Sequence, residues 1–495
     1  MNAISEIVEI MSSEDKKAFQ VYLNKKNKRK DVHNINFFKL LETDDINTLK
    51  NKYKTKKSDD AYYALRKRIY DSLIEFMANR TFANDTSAEH EVLRLLVGGR
   101  AFIERKRYKT AFKCLSKAEA KAIPLEHFSL LNEIYHTQIQ FAHLQGGFNL
   151  STVVAKFTAN REKLRNEEQL NLAYALLRKE LANIHHKGKV TDFRALIMDT
   201  MASLGVSLQE ILTFKSLYQI LFIANEYAAI HSDFSLIESF IAKSFAFISE
   251  RKELAEKHLY YHIYILYFIA NIHFRNREFT ASLTCLMQME EQMLRQGGRY
   301  RKQFFLRWSL LHALNEHYSG SPGKAIVTVQ KALQQQGADP VDVNDLRLCL
   351  AVFYLQQGDR AAFKQMRLFA HTDSWYEKRM SMDWVIKKAL VEIILQAEFE
   401  NTEQALSRIK SFKRRYKKYL FDVQEERVYA YVQQVEQYIQ KPEIIKSPAF
   451  IKEVDKFLQP GKKTQDIFVL SFIGWLVAKI RKQPVYDTIL ELLKQ

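Results

Sequence analysis

The sequence predicts an all-α protein built as a row of antiparallel helix pairs. Three observations predict it. The chain has 495 residues, more than the roughly 250–300 over which one compact core keeps growing, so it is either several domains or a repeat array. It contains only 14 Gly and 7 Pro. Sheets and long ordered loops use those residues at their turns, whereas long helices joined by short polar links need few. A pattern of small and aromatic residues also recurs. It is clearest at Gly99, Phe102, Tyr108, Ala111, Leu115 and Ala118, and variants continue to about Phe412. Helix pairs stacked side by side make a solenoid, and solenoids mostly bind other macromolecules.

Residues 1–85 read as a separate basic helical bundle. Ser12 or Ser13 caps a helix through Phe19, Tyr22 and Leu23, with Glu14 and Asp15 suited to its N-terminal dipole. The basic run 25–30 breaks the apolar period and reads as a solvated loop, and short helices follow at 37–41 and 46–53. Ser58, followed by Asp59 and Asp60, opens a stronger helix with the stripe Tyr62, Leu65, Ile69, Leu73, Phe76 and Met77.

The repeat region is expected over 86–440. In each copy a small residue lets the second helix approach the first, and an aromatic three residues on fills the gap beside it. The copies are Gly99 to Ala118; Ala313, Gly320, Ala325, Val329 and Ala332; and Ala270, His273, Phe279, Ser282, Leu286 and Met289. Weaker ones are Asn225, Ala228, Phe234, Ile237 and Ile241; Ala351, Tyr354, Gly358 and Phe363; and Gln396, Ala405, Ile409 and Phe412. On these residues the chain resembles the tetratricopeptide-repeat (TPR) superfamily. The resemblance implies a right-handed α-solenoid of antiparallel helix pairs, with a concave groove that holds peptides, helices or other proteins. Ala111, Ile237, Ser282, Ala325, Phe363 and Ala405 give a period of roughly 38–45 residues, against about 34 in that family. The family's first-helix tryptophan and closing proline are mostly missing, so its groove residues do not transfer by position.

Residues 441–495 read as C-terminal capping helices. Pro442, Pro448 and the Pro460-Gly461 pair punctuate short helices, and 467–480 forms an apolar helix with Pro484 just beyond its end. A helix apolar all round must be buried, and the expected place is across the open end of the last repeat.

The formal net charge of +18 suits an acidic partner, and equally a solubilising, lysine-rich surface. Cys114, Cys285 and Cys349 lie far apart, in neither a disulfide nor a zinc spacing; buried free thiols and a reducing compartment are expected. Residues 1–10 do not read as a secretory signal. The apolar runs 259–272 and 467–478 fall short of the roughly 20 residues of a membrane span. The chain therefore reads as cytoplasmic, without a membrane span.

No reaction signature stands out, and no cofactor is expected. Gly461-Lys462-Lys463-Thr464 resembles the tail of a phosphate loop, but Lys456 stands where that loop needs its earlier glycine, so it reads as a turn. His258 and His262 are four apart on one helix face, with His273 further on. That spacing can hold a metal, but no carboxylate stands between them as a hydrolytic zinc helix needs, so they read as partly buried histidines among Tyr260, Tyr261 and Tyr264, and no metal is expected. The adjacent His185 and His186 read as a helix end. The sharpest candidates for partner contact are Lys410, Lys413, Arg414, Arg415, Tyr416, Lys417 and Lys418, interleaved with Phe412 and Tyr419, and Arg66, Lys67 and Arg68 in the first bundle. Cations among aromatics grip phosphate and stacked bases. The same string is also an amphipathic helix whose aromatics are core and whose cations are solvated. Lys50, Lys52, Lys54, Lys56 and Lys57 read as a solvated loop.

Two functions follow as expectations. The first is a non-enzymatic helical-repeat scaffold or adaptor that binds a protein or peptide. The alternative is a nucleic-acid-associated protein using the basic bundle and the 410–418 helix.

Overall fold

Apolar residues at intervals of three and four, rarely interrupted by Gly or Pro, leave helix as the only regular structure available to this chain. The computed structural model describes residues 4, 7, 8, 11, 13–26, 33–42, 60–84, 88–144, 146–187, 192–205, 213–231, 238–335, 337, 339–423, 425–458 and 467–494. Among them are 24 α-helices and no strand. The residues form two compact units, 1–122 with 137–148, and 123–136 with 149–495. The expected 46–53 helix, Lys50 to Lys57, the Ser58 cap, most of the 25–30 run and Gly461 to Thr464 lie outside the described residues. So do Phe234 and Ile237, and the side chains of His185, His186, Ala228 and Ile241.

The first unit holds α1 (Ser13–Lys26), α2 (His33–Glu42), α3 (Asp60–Asn84), α4 (Ala88–Glu104) and α5 (Tyr108–Ala122). Helices α1, α2 and α3 pack on one another around Phe19, Phe37, Phe38, Ile69 and Leu73. Lys26 pairs with Glu75, and Arg80 with Asp15 and Glu14. Helices α4 and α5 make the best-written pair. A Cβ on Gly99 would lie 3.2 Å from Leu115 and 3.4 Å from the carbonyl of Ala111, which is why that position carries the smallest residue.

The second unit continues with α6 (Phe128–Gln140, its last turn in the first unit), α7 (Leu150–Lys187), α8 (Phe193–Ser203), α9 (Phe214–His231), α10 (Glu238–Glu250) and α11 (Lys252–Lys257). Then come α12 (Leu259–Arg275) with α13 (Phe279–Gly298), α14 (Arg301–Tyr318) with α15 (Pro322–Ala332), and α16 (Pro340–Gln356) with α17 (Ala361–Met366). After the single turn-and-a-half α18 (Asp373–Arg379) follow α19 (Met382–Glu398) with α20 (Thr402–Asp422), then α21 (Glu426–Gln440) and α22 (Pro448–Leu458). The chain ends in α23 (Ile467–Arg481) and α24 (Val485–Lys494). First helices pack on first helices in the order α7, α9, α12, α14, α16, α19, α21.

One turn geometry joins six of the helix pairs among the described residues. The residue closing the first helix has positive φ: Lys106, Arg277, Gly320, Gly358, Glu400 and Lys482. The next N–H reaches back five residues to a helix carbonyl, as from Arg107 to Phe102, Glu278 to His273, Ser321 to Glu316 and Asp359 to Tyr354, each at 2.8 Å. This is the left-handed C-cap with its long closing bond. The steps from Arg277 to Gly320, Gly358 and Glu400 are 43, 38 and 42 residues. Gly320, with φ of 97°, adopts this geometry without a Cβ clash. We expect Gly320→Ala to cost about 1–2 kcal/mol, and Glu400→Gly to gain up to about 1 kcal/mol, both read by urea unfolding.

The second helices bury Ala111, Ser282, Ala325 and Ala405 completely. In the 351–366 copy the buried small residue is Ala362, not Phe363. Helix α17 starts one residue out of register there, and Phe363 turns its ring onto Phe399, 5.4 Å away. Ser282 shows what the small position does. Its hydroxyl donates to the Ala270 carbonyl at 2.8 Å and accepts from Asn315 Nδ2 at 3.0 Å, so it ties its own pair to the next.

The C-terminal hairpin packs on α22 and also lies along the row of first helices. Tyr318 and Ser471 share a hydroxyl bond of 2.8 Å, Tyr431 Oη donates to the Phe472 carbonyl at 2.7 Å, and Trp475 Nε1 donates to Glu398 at 2.6 Å. Tyr486 Oη donates to the His317 carbonyl at 2.5 Å, and Arg277 to the Leu493 carbonyl at 3.3 Å. The hairpin thus touches α14, α19, α21 and the turn between α12 and α13. An all-round apolar helix finds more apolar surface along several helices than across one. A Cβ on Gly474 would lie 2.7 Å from Ile489, so this residue lets α23 and α24 approach closely.

Candidate functional site

The basic-aromatic string is helix α20, and the structure divides it. Phe412, Tyr416 and Leu420 are core, and Tyr419 is half-buried, so these rings are not a platform for stacked bases. Lys413 pairs with Glu436, and Arg415 pairs with Glu377 at 2.8 Å and bonds Ser374. Four exposed cations remain with no acidic partner among the described residues: Lys410, Arg414, Lys417 and Lys418. Their spacing puts them on one helix face. Lys417 also lies over the rings of Phe421 and Tyr429, and Phe421 is itself exposed. In the first unit, Arg66 is half-buried, while Lys67 and Arg68 are exposed on α3.

The histidines do not assemble into a metal site. Among the described residues, no group of three or more His, Cys, Asp or Glu side chains is placed to hold an ion. His258 stacks on Phe214, and its Nε2 stands 4.0 Å from the Glu126 carboxylate; His262 meets the same ring edge-on. Burial holds both imidazoles down to about 4 and pushes the Glu126 carboxyl up. His273 pairs with Glu278 in the pair turn. A third buried imidazole, His317, lies flat on Phe353 with ring centroids 4.0 Å apart and bonds Gln356 at 2.6 Å. Burial depresses it to about 4 as well. Cys285 is buried and its thiol is pushed up to about 12; Cys114 and Cys349 are half-buried, and all three are free thiols.

The first-helix row carries a feature that sequence spacing alone did not mark. Tyr174 of α7, Tyr218 of α9, and Tyr260, Tyr261 and Tyr264 of α12 are half-buried and in ring contact along the row. Arg178 stacks over Tyr174 and Phe222, and Arg307 donates to Tyr264 Oη at 2.7 Å and to Asp342 at 3.2 Å. The signal was present as Tyr260-Tyr261 with Tyr264 in one first helix. Its partners Tyr174 and Tyr218 lie 40 and more residues earlier, joined to it only by the stacking of helices. Farther along the row the hairpin covers the ends of α14 to α21.

Among the described residues no helix is long and apolar enough to cross a membrane. No protein-family model, no curated protein and no solved structure matches this chain. The structure is an all-helical chain of neighbouring helix pairs, compatible with a helical-repeat fold.

Proposed function

We propose that the protein is a non-enzymatic helical-repeat scaffold, a TPR-like right-handed array that binds a protein or peptide in the cytoplasm. The observation that carries this reading is the row of first helices, with one pair turn repeated along it and a tyrosine strip on α7, α9 and α12. Tyr and Arg are the side chains that most often anchor protein interfaces. The hairpin α23–α24 packs against α14, α19 and α21 farther along, so we take the tyrosine strip as the partner surface. A pull-down from native lysate should return the same protein with the parent chain, and lose it with Tyr218→Ser/Tyr261→Ser at unchanged helix content. A partner retained equally by the double variant would remove the strip from the account.

The face formed by Lys410, Arg414, Lys417 and Lys418 favours a second reading, a nucleic-acid-associated protein that grips the phosphate backbone without reading bases. Filter binding to RNA and duplex DNA decides it. Under this reading affinity falls steeply with salt, and reversing Lys410, Arg414 and Lys418 to Glu flattens the salt slope by about 3. No salt-dependent affinity at low ionic strength excludes it.

A further inference from the structure

Helices α7, α8 and α9 line an open cavity of about 410 Å³. Its wall is almost entirely apolar, with Leu170, Leu177 and Ile223 buried at its base and Met198 and Met201 on the α8 side. These helices carry their own small core of Leu177, Leu181 and Ile223, separate from the main one. The volume falls in the range of sites for small organic molecules, about 300–1,000 Å³. Methionines are the side chains that adapt best to a flexible chain of methylenes.

The polar groups of the wall decide what the head of such a molecule is. Gln219 already donates to Asn171 at 2.9 Å, and the Tyr174 hydroxyl sits 3.5 Å from that of Tyr218. Among the described residues of the wall, Arg194 is the one charged side chain. It is exposed and makes no ion pair or hydrogen bond among the described residues. It stands in the first turn of α8, where the helix dipole also favours an anion. Asp192, the nearby acid, is engaged as the N-cap through the Ala195 N–H at 3.0 Å. An apolar cavity with one unpaired guanidinium in its wall matches a single apolar chain that ends in a carboxylate.

We propose that this cavity binds a free long-chain fatty acid, with the acyl chain between α7, α8 and α9 and the carboxylate on Arg194. The site shares Tyr174 with the tyrosine strip but does not require the scaffold reading.

The test is a calorimetric titration of the full-length protein with hexadecanoate below its critical micelle concentration, beside hexadecanol and octanoate. The expected result is saturable one-to-one binding of hexadecanoate, weakened at least tenfold in Arg194→Gln. Hexadecanol should bind both proteins equally, and octanoate more weakly than hexadecanoate. Arg194 is exposed, so this variant keeps the fold and the comparison stays clean. Absence of saturable binding, several equivalents bound, or equal affinity in parent and variant would each overturn the proposal. So would sedimentation with phosphatidylglycerol vesicles in a protein that takes up no free hexadecanoate, since that places the affinity in a membrane surface.

Discussion

Replacing Trp475 by alanine lowers the unfolding free energy by about 3–5 kcal/mol, the range for removing a large buried aromatic side chain. Trp475 is 1% exposed, packs edge-on to Tyr438 with centroids 5.7 Å apart, and donates to Glu398. Lys479 reaches the same carboxylate at 2.7 Å. The loss has two separable parts. Trp475→Phe keeps most of the ring volume but drops the bond to a charged acceptor, which costs about 1–3 kcal/mol. Val469→Ala on the same helix, at a side chain 40% exposed, stays within about 0.5 kcal/mol of the parent. Urea unfolding of the three variants reads the series. A Trp475→Ala chain as stable as the parent would mean that the hairpin is an appendage and not part of the core.

Acidification from pH 7.5 to 5 destabilises the fold by about 3 kcal/mol from His258, His262, His317 and Asp345 taken together. His258, His262 and His317 are each held to about 4 in the folded chain, against 6.5 when free. The unfolded chain therefore takes up protons first. Stability from these residues is complete above pH 6.5 and is lost as pH falls towards 4. Asp345 acts with the opposite sign. Burial pushes its carboxyl up to about 7, even though it accepts from Trp384 Nε1 at 2.8 Å. The folded chain keeps a proton there that the unfolded chain has released, so acid relieves a cost. Three imidazoles outweigh one carboxyl, and the net slope remains acid-destabilising. In His262→Leu the loss between the same two pH values shrinks by about 2 kcal/mol. A parent protein equally stable at pH 5 and 7.5 would contradict the neutral, buried state of these rings.

The helix pairs were legible because their signal is local. Ala111, Ala325 and Ala405 each sit a fixed step after a turn and must be small for the second helix to close on the first. The slip from Phe363 to Ala362 was not legible, because a one-residue change in where α17 starts leaves the spacing of apolar residues intact. The burial of α23 followed from its composition, but its neighbours did not, since a helix apolar on every side does not say which surface it will cover. The same limit applies to α20. Amphipathic spacing put Phe412 and Tyr416 in the core, yet the partners that neutralise Lys413 and Arg415 are Glu436 and Glu377, on other helices. Only with those two cations paired does the stripe reduce to Lys410, Arg414, Lys417 and Lys418. The fatty-acid cavity had no sequence signature, because leucines and methionines that line a cavity have the same periodicity as those that fill one.

The C-terminal hairpin runs along the first helices α14, α19 and α21. Zero-length carbodiimide cross-linking of the full-length protein, followed by peptide mass spectrometry of the monomer, tests this placement directly, because Lys479 and Glu398 are an ion pair at 2.7 Å. The account predicts a Lys479–Glu398 cross-link, lost together with its peptide pair in Glu398→Gln. A monomer in which Lys479 joins Glu453 or Asp455 of α22 and never Glu398 would contradict that placement.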